Sequence, residues 1–192
     1  ANGATLVLAE AKGLDTFTKE IKNNSNGEVA IIEITDLSKN ISAIAGNYYA
    51  HPTKRTNLIG ITGTNGKTSV CYLLAQTLSE LNKSTLMLST LGNGDYKNLE
   101  SSLNTTSDPV TIQKKASEFL DKEMTFMAME VSSHGLQQSR VDALFFDIAV
   151  FTNLSHDHLE YHGDMENYFQ AKRKLFLNSS LKVAVINADD KY

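Results

Sequence analysis

The chain has 192 residues, 41% of them hydrophobic and 21% charged, enough for one good-sized domain or one domain plus part of another, with a packed core and no wholesale disorder. Lysine and arginine number 18 against 22 acidic residues, a net charge of −4, which argues against a nucleic acid or an anionic membrane as main partner but leaves room for a local basic phosphate pocket. A single cysteine, Cys71, excludes an intrachain disulfide and a CxxC metal pair, and its apolar flanks place it in the core.

No apolar run reaches the roughly 18 residues of a membrane span, and residues 1–10 lack the basic-then-apolar pattern of a signal peptide. These negatives favour a reducing, cytoplasmic setting. The chain opens on Ala4-Thr5-Leu6-Val7-Leu8-Ala9 without an introductory turn and stops soon after Asn187-Ala188-Asp189-Asp190-Lys191, so it is expected to be a fragment.

In chain order, short apolar β-type runs alternate with helical periodicity, which implies an α/β fold built on a mainly parallel sheet flanked by helices. Strands are expected at 5–8, 28–32, 57–62, 84–89, 125–131, 147–153 and 182–187; several are apolar without alternation, as strands covered on both faces are. Asp36 is expected to cap a helix whose apolar face is Leu37, Ile41, Ile44 and Tyr48. The helix after 57–62 places Val70, Leu74, Leu78 and Leu81 on one side. Asp108 followed by Pro109 is a start signal for a helix that buries Ile112, Ala116 and Phe119. Asp164 is expected to cap the last long helix, through about Asn178. His51-Pro52-Thr53-Lys54 is the proline-marked polar connector, and a domain boundary is expected near Arg55, between residues 1–55 and 56–192.

The run Leu58-Ile59-Gly60-Ile61-Thr62-Gly63-Thr64-Asn65-Gly66-Lys67-Thr68-Ser69-Val70 reads as strand, glycine loop and helix. Such a loop lets backbone N–H groups converge on phosphate oxygens at the positive end of a helix. Lys67 would reach the outer phosphates and Thr68 would offer a hydroxyl to Mg²⁺. Ile61 stands where the strict phosphate-loop spacing wants its first glycine, so the alternative is an ordinary glycine-containing turn.

The form GTNGKT resembles the loop of the Mur ligases, the ATP-dependent amide-forming enzymes of peptidoglycan synthesis. Asn104-Thr105-Thr106, Met129-Glu130-Val131-Ser132-Ser133-His134-Gly135-Leu136, Phe151-Thr152-Asn153-Leu154, Asp157-His158-Leu159-Glu160-Tyr161-His162-Gly163 and Asn187-Ala188-Asp189-Asp190 are similar to that family in order and spacing. The likeness is dense from about 57 to 190, and is strongest to the members that add the third amino acid of the stem peptide. It implies a three-domain enzyme in which 1–55 ends the UDP-binding domain, 56–192 forms a truncated central phosphate-loop domain, and a C-terminal domain for the incoming amino acid is missing.

The resemblance also assigns residues. It implies nucleotide contacts from Gly63, Thr64, Asn65, Gly66, Lys67, Thr68 and Ser69, with Asn187 near the adenine. Glu130, at the carboxyl end of a strand, would join Thr68 on the ATP-linked Mg²⁺; without the family it reads equally as a solvated strand end. His158 would ligate a second Mg²⁺, an unusual ligand on softness grounds, while His156-Asp157-His158 alone reads as a polar loop. Lys172 falls in the apolar stripe of Met165, Tyr168, Phe169 and Phe176, where an ammonium is costly unless it snorkels to water. The resemblance offers carbamylation instead, an N6-carboxylysine that supports the second Mg²⁺. Asn104, Thr105, Thr106, Ser132, Gln138 and Arg140 would hold the UDP-N-acetylmuramoyl-dipeptide, and a diamino acid, meso-diaminopimelate or lysine, would be the co-substrate. His134 and His162 read as structural, and His51 as a linker residue. The enzyme is expected to be a monomer, with no nucleic-acid partner and no membrane insertion. A folylpolyglutamate-type ligase, or a phosphate-loop NTP-binding module without ligation, are the alternatives.

Overall fold

Apolar runs that do not alternate need cover on both faces, and the runs at 58–61, 85–89 and 126–129 have it, whereas Val183–Ile186 at the sheet edge is exposed. The computed structural model describes residues 4–11, 29–122 and 125–192, and two compact units divide it, Ala1–Ile41 and Ser42–Tyr192.

In the first unit, β1 (Leu6–Glu10) pairs in parallel with β2 (Ala30–Ile34), Leu6 lying opposite Ala30. Both strands end two residues beyond their expected ends, and Glu28, the expected start of the second, lies outside the described residues. Helix α1 (Leu37–Tyr48) follows, but Asp36 does not cap it: its φ is 53°, and its carboxylate pairs with Lys39 at 3.3 Å. Glu10, ending β1, does the capping from a distance. Its two carboxylate oxygens accept the N–H groups of Asp36 and Leu37 at 3.0 and 2.7 Å, placing negative charge where the helix has unpaired donors. Nor does Tyr48 belong to the buried face; it is 81% exposed, and the buried positions of α1 are Ser42, Ala45 and Gly46. The Ser42 hydroxyl accepts the Ala143 N–H at 3.0 Å, so a hydrogen bond as well as apolar contact decides which stripe turns inward.

In the second unit a 3₁₀ turn, Pro52–Arg55, leads into β3 (Asn57–Thr62) and α2 (Lys67–Glu80). Then come β4 (Thr85–Ser89), the hairpin β5 (Gly92–Asp95) and β6 (Asn98–Glu100), and α3 (Pro109–Leu120). β7 (Phe126–Glu130), the short α4 (Ser133–Gln137), β8 (Ile148–Phe151) and one turn of α5 (Leu159–His162) follow. The chain closes with α6 (Met165–Arg173), a 3₁₀ turn Lys174–Leu177, and β9 (Val183–Ile186). The sheet order is β6-β5-β4-β7-β3-β8-β9; β4, β7, β3, β8 and β9 are parallel and the hairpin is antiparallel.

Alternate residues of the central strands supply two separate cores. Leu58, Leu86, Leu88, Met127 and Met129 face Ile112, Ala116, Leu136 and Phe146 on one side. Ile59, Ile61, Met87 and Ala128 face Cys71 and Ala75 of α2 on the other. Cys71 is a core residue, as expected, and burial pushes its thiol well above its ordinary value. Val70, Leu74 and Leu78 pack against the same core, whereas Leu81, beyond the last helical residue, is 64% exposed. Asp108 and Asp164 cap their helices, accepting the N–H groups of Val110, Thr111 and Asn167. Gly60, mid-strand in β3, is there because a Cβ would lie 2.6 Å from Phe146 Cε1. Among the described residues, no helix is long and apolar enough to cross a membrane.

Candidate phosphate-binding site

The loop from Gly63 to Gly66 joins the carboxyl end of β3 to the first turn of α2. Gly66, with φ 84°, is the residue just before the helix, so the N–H groups of the next residues open the helix as unpaired donors aimed at one point. Gly63 has φ 149°, and a Cβ there would land on the Thr152 hydroxyl. The Lys67 ammonium folds back over the loop, donating to Gly63 O at 3.0 Å and Thr64 O at 2.8 Å. Burial lowers its pKa, opposed by the charges of Glu130 and Asp157.

The neighbouring strand β8 holds this loop from the side. Asn153 O accepts the Thr64 N–H at 2.8 Å, and Asn153 Oδ1 accepts the Asn65 N–H at 3.0 Å. Thr152 Oγ1 donates to Asn65 O at 2.7 Å. The amides of Thr64 and Asn65 are therefore engaged with Asn153, while Gly66, Lys67, Thr68 and Ser69 carry the converging donors. Asn187, at the end of β9, donates its amide to Thr152 O at 2.9 Å, which places it on the same edge of the sheet.

The register of β3 and β7 sets Ile61 opposite Glu130, so a carboxylate ends the strand beside the loop. Glu130 is 1% exposed; its Oε1 accepts the Thr90 N–H at 2.9 Å and its Oε2 the Thr90 hydroxyl at 3.5 Å. Thr90 Oγ1 also lies 3.2 Å from Thr105 Oγ1. From there a polar cluster continues: Thr106 Oγ1 bonds Glu130 O at 3.0 Å and Ser132 Oγ at 3.1 Å, and Arg140 donates to Thr106 O and Gln138 Oε1. Thr105, Thr106, Ser132, Gln138 and Arg140 thus gather in one patch linked to Glu130. The described contact of Asn104 is through its carbonyl, which accepts the Ser102 hydroxyl.

Lys172 does not snorkel. It is 2% exposed, its ammonium donating to Gly63 O at 2.7 Å and lying 4.4 Å from the centroid of the Tyr168 ring. Burial, reinforced by the Lys67 charge and opposed by Asp157, lowers its pKa to about 7. His158 holds a left-handed conformation, φ 55°, within 3.5 Å of Asp157 and 3.8 Å of Glu160. Its ring lies 6.1 Å from Tyr168, so His158 and Lys172 flank the same phenol. His162 is buried, its Nε2 2.9 Å from Ser133 Oγ, and its pKa is lowered by burial and then by His134.

Sequence reasoning singled out Lys67, Glu130, His158 and Lys172 and missed Thr90, Thr152, Asn153, Asp157 and Tyr168 as members of the same neighbourhood. The available signal was positional: Thr90, Thr152 and Asn153 each follow a parallel strand at its carboxyl end, where ligands collect in such sheets.

A parallel sheet with helices on both faces, and a lysine-bearing glycine loop beside a buried carboxylate, define a phosphate-loop α/β domain. The family follows from comparison: residues 61–192 match the Mur ligase middle domain, and the chain belongs to that family. A relative from Pseudomonas aeruginosa, named UDP-N-acetylmuramoyl-L-alanyl-D-glutamate--2,6-diaminopimelate ligase, is 46% identical over 192 residues, 100% of this chain and 38% of the relative. One of the same name from Blochmanniella floridana is 45% identical over 190 residues, 98% of this chain and 38% of its own length. The chain thus spans about two fifths of the length of these relatives. A solved structure under that name superposes with a TM-score of 0.80 at 32% identity, covering 97% of this chain and 41% of that one. A Mycobacterium tuberculosis folylpolyglutamate synthase complexed with ADP and AMPPCP shares the fold at 20% identity, with a TM-score of 0.64 over 80% of this chain and 42% of that one.

Proposed function

We propose that the protein carrying this chain is an ATP-dependent ligase of the cytoplasm that joins a diamino acid to UDP-N-acetylmuramoyl-L-alanyl-D-glutamate in peptidoglycan synthesis. The observation that carries the reading is the convergence of Lys67 and Lys172 on one loop carbonyl, with Glu130 on the adjacent strand. That is the positive charge of Lys67, helix-end donors and a carboxylate where a triphosphate would lie, with Lys172 bracing the loop. The names of the relatives favour 2,6-diaminopimelate over lysine as the amino acid.

In this reading the substrate carboxylate attacks the γ-phosphorus of ATP, the bond to the β-phosphate oxygen breaks, and ADP leaves with the electron pair. The acyl phosphate so formed is attacked by the amine, which loses its proton as phosphate departs. The chain's own contribution is positioning and charge neutralisation. The first-turn N–H groups of α2 hold the phosphates, and Lys67 swings from its two loop carbonyls onto the outer phosphate oxygens. Ser69 lies on the same turn, and Asn187 is placed on the edge where the adenine would extend. The patch of Asn104, Thr105, Thr106, Ser132, Gln138 and Arg140 would take the muramoyl dipeptide, with Arg140 suited to a phosphate or carboxylate.

The residues present fit one magnesium ion directly. Thr68 and Glu130 offer oxygen donors beside the phosphates, the pattern of a hard cation that completes its shell with substrate oxygens. Among the described residues no three His, Cys, Asp or Glu side chains form a metal cluster, and for a second ion His158 has only Asp157 and Glu160 as carboxylate neighbours, at 3.5 and 3.8 Å. Lys172 as an ammonium is a donor and cannot ligate. Its lowered pKa leaves a lone pair at neutral pH that can attack CO₂, forming an N–C bond, moving a C–O π pair onto oxygen and releasing a proton. The N6-carboxylysine so produced would add a buried anionic oxygen ligand beside the loop. Magnesium would neutralise phosphate charge at both positions.

The test is ADP release by the full-length protein with ATP, Mg²⁺ and UDP-muramoyl-dipeptide while the amino acid is varied. Stimulation by diaminopimelate is expected; no stimulation by any diamino acid overturns the assignment.

A further inference from the structure

Tyr168 precedes Lys172 by one helical turn and takes no part in the proposed chemistry, yet it is fully buried with its hydroxyl against the phosphate loop. Its oxygen lies 3.2 Å from Thr64 Oγ1. Thr64 Oγ1 also accepts the Ser155 N–H at 3.0 Å and donates to Ser155 O at 3.3 Å. A hydroxyl has one proton and two lone pairs. The Ser155 carbonyl can only accept, so the Thr64 proton goes there, and Tyr168 is the donor in the remaining bond. Thr64 is thereby saturated and fixed to two elements at once, the segment after β8 and helix α6. The Tyr168 ring meanwhile carries the Lys172 ammonium over one region and packs against His162 at 5.0 Å between centroids.

We propose that Tyr168 is a positioning residue for nucleotide binding: its hydroxyl holds Thr64, and through Thr64 the glycine loop, in the phosphate-ready conformation. This rests on the reading of the loop as an ATP site. The physical need is specific. Gly63 and Gly66 flank Thr64 and give the loop wide conformational freedom, which must be surrendered on binding unless the folded protein has already removed it. A buried anchor from α6 removes part of it beforehand.

The experiment measures the ATP dissociation constant and steady-state kinetics of the full-length protein and its variants. Tyr168→Phe keeps the ring, its burial and its contact with Lys172 and deletes the hydroxyl alone. It is expected to raise Kd and KM for ATP about threefold to tenfold, the cost of one net hydrogen bond, with KM for the muramoyl substrate unchanged. Thr64→Val removes the bond from the other side, so the double variant is expected to bind ATP no more weakly than Thr64→Val alone. Wild-type-like Kd in Tyr168→Phe, or independent multiplying effects in the double variant, overturns the proposal alone. So does a lowered Tm with KM for ATP unchanged, the signature of a merely structural tyrosine. Absence of ATP binding by the unmodified protein overturns the ATP reading, and the proposal with it.

Discussion

Replacing Gly63 by alanine should disable the loop through two separable effects. Its φ of 149° lies where L-residues are strained, a cost of roughly 1–3 kcal/mol. The new methyl would also fall on Thr152 Oγ1, with the Asn153 backbone N and O each 3.1 Å away, so the threonine must rotate. Rotation breaks its 2.7 Å bond to Asn65 O, worth about 1 kcal/mol. Together the loss is about 2–4 kcal/mol, concentrated in the β3–α2 corner. Equilibrium urea unfolding of the full-length protein, with hydrogen exchange of the α2 amides, measures it, and ATP affinity should fall in parallel. Thr152→Ala separates the parts: alone it costs about 1 kcal/mol, and combined with Gly63→Ala it should add nothing, because the clashing hydroxyl is the group removed. A Gly63→Ala protein within about 0.5 kcal/mol of wild type, or strict additivity in the double variant, would refute the reasoning.

Gly60→Ala forces a methyl to 2.6 Å from Phe146 and should destabilise by about 1–3 kcal/mol in the same unfolding assay, with partial recovery in Gly60→Ala/Phe146→Leu. Lys172 makes stability depend on pH. Its folded pKa, lowered to about 7, lies below the unfolded value near 10.4, so between these limits the unfolded chain holds a proton that the folded one lacks. In carbonate-free buffer stability should therefore rise with pH from about 7 upward, by at most about 1.4 kcal/mol per unit, and level off below 7, where both states are protonated. Lys172→Met should lose that slope.

What was legible in the sequence followed from burial. The central strands are covered on both faces, so Leu58-Ile59-Gly60-Ile61 and Phe126-Met127-Ala128-Met129 stand out as apolar runs. Lys172 was conspicuous because helical spacing set a charge among Tyr168, Phe169 and Phe176. The hairpin of β5 and β6 escaped notice because Gly92-Asn93-Gly94-Asp95 has no apolar signal; its first three residues are buried by their neighbours, not by their own hydrophobicity. Asp36 looked like a cap by its position, but the carboxylate that reaches the helix end belongs to Glu10, which strand pairing brings there. The positions of Thr90, Thr152 and Asn153 after parallel strands were a signal, but their partners come from which strand lies beside which, and that of Tyr168 from where α6 packs, which no local pattern encodes. The nucleotide, metal and muramoyl contacts are proposals that rest on the family likeness together with this geometry.

The bond from Lys172 to the carbonyl of Gly63 closes a span of 109 residues, and that from Tyr168 to Thr64 a span of 104. Contacts so distant along the chain must offset the loop-closure entropy of the intervening segment. The loop from Gly63 to Gly66 is local in sequence, yet it is held by side chains of α6 and by the segment after β8. On the proposed reading, nucleotide affinity would report this docking: a molecule in which α6 had come loose would have the loop's residues but not its grip. ATP, by binding only the finished form, would in turn hold the protein there by mass action.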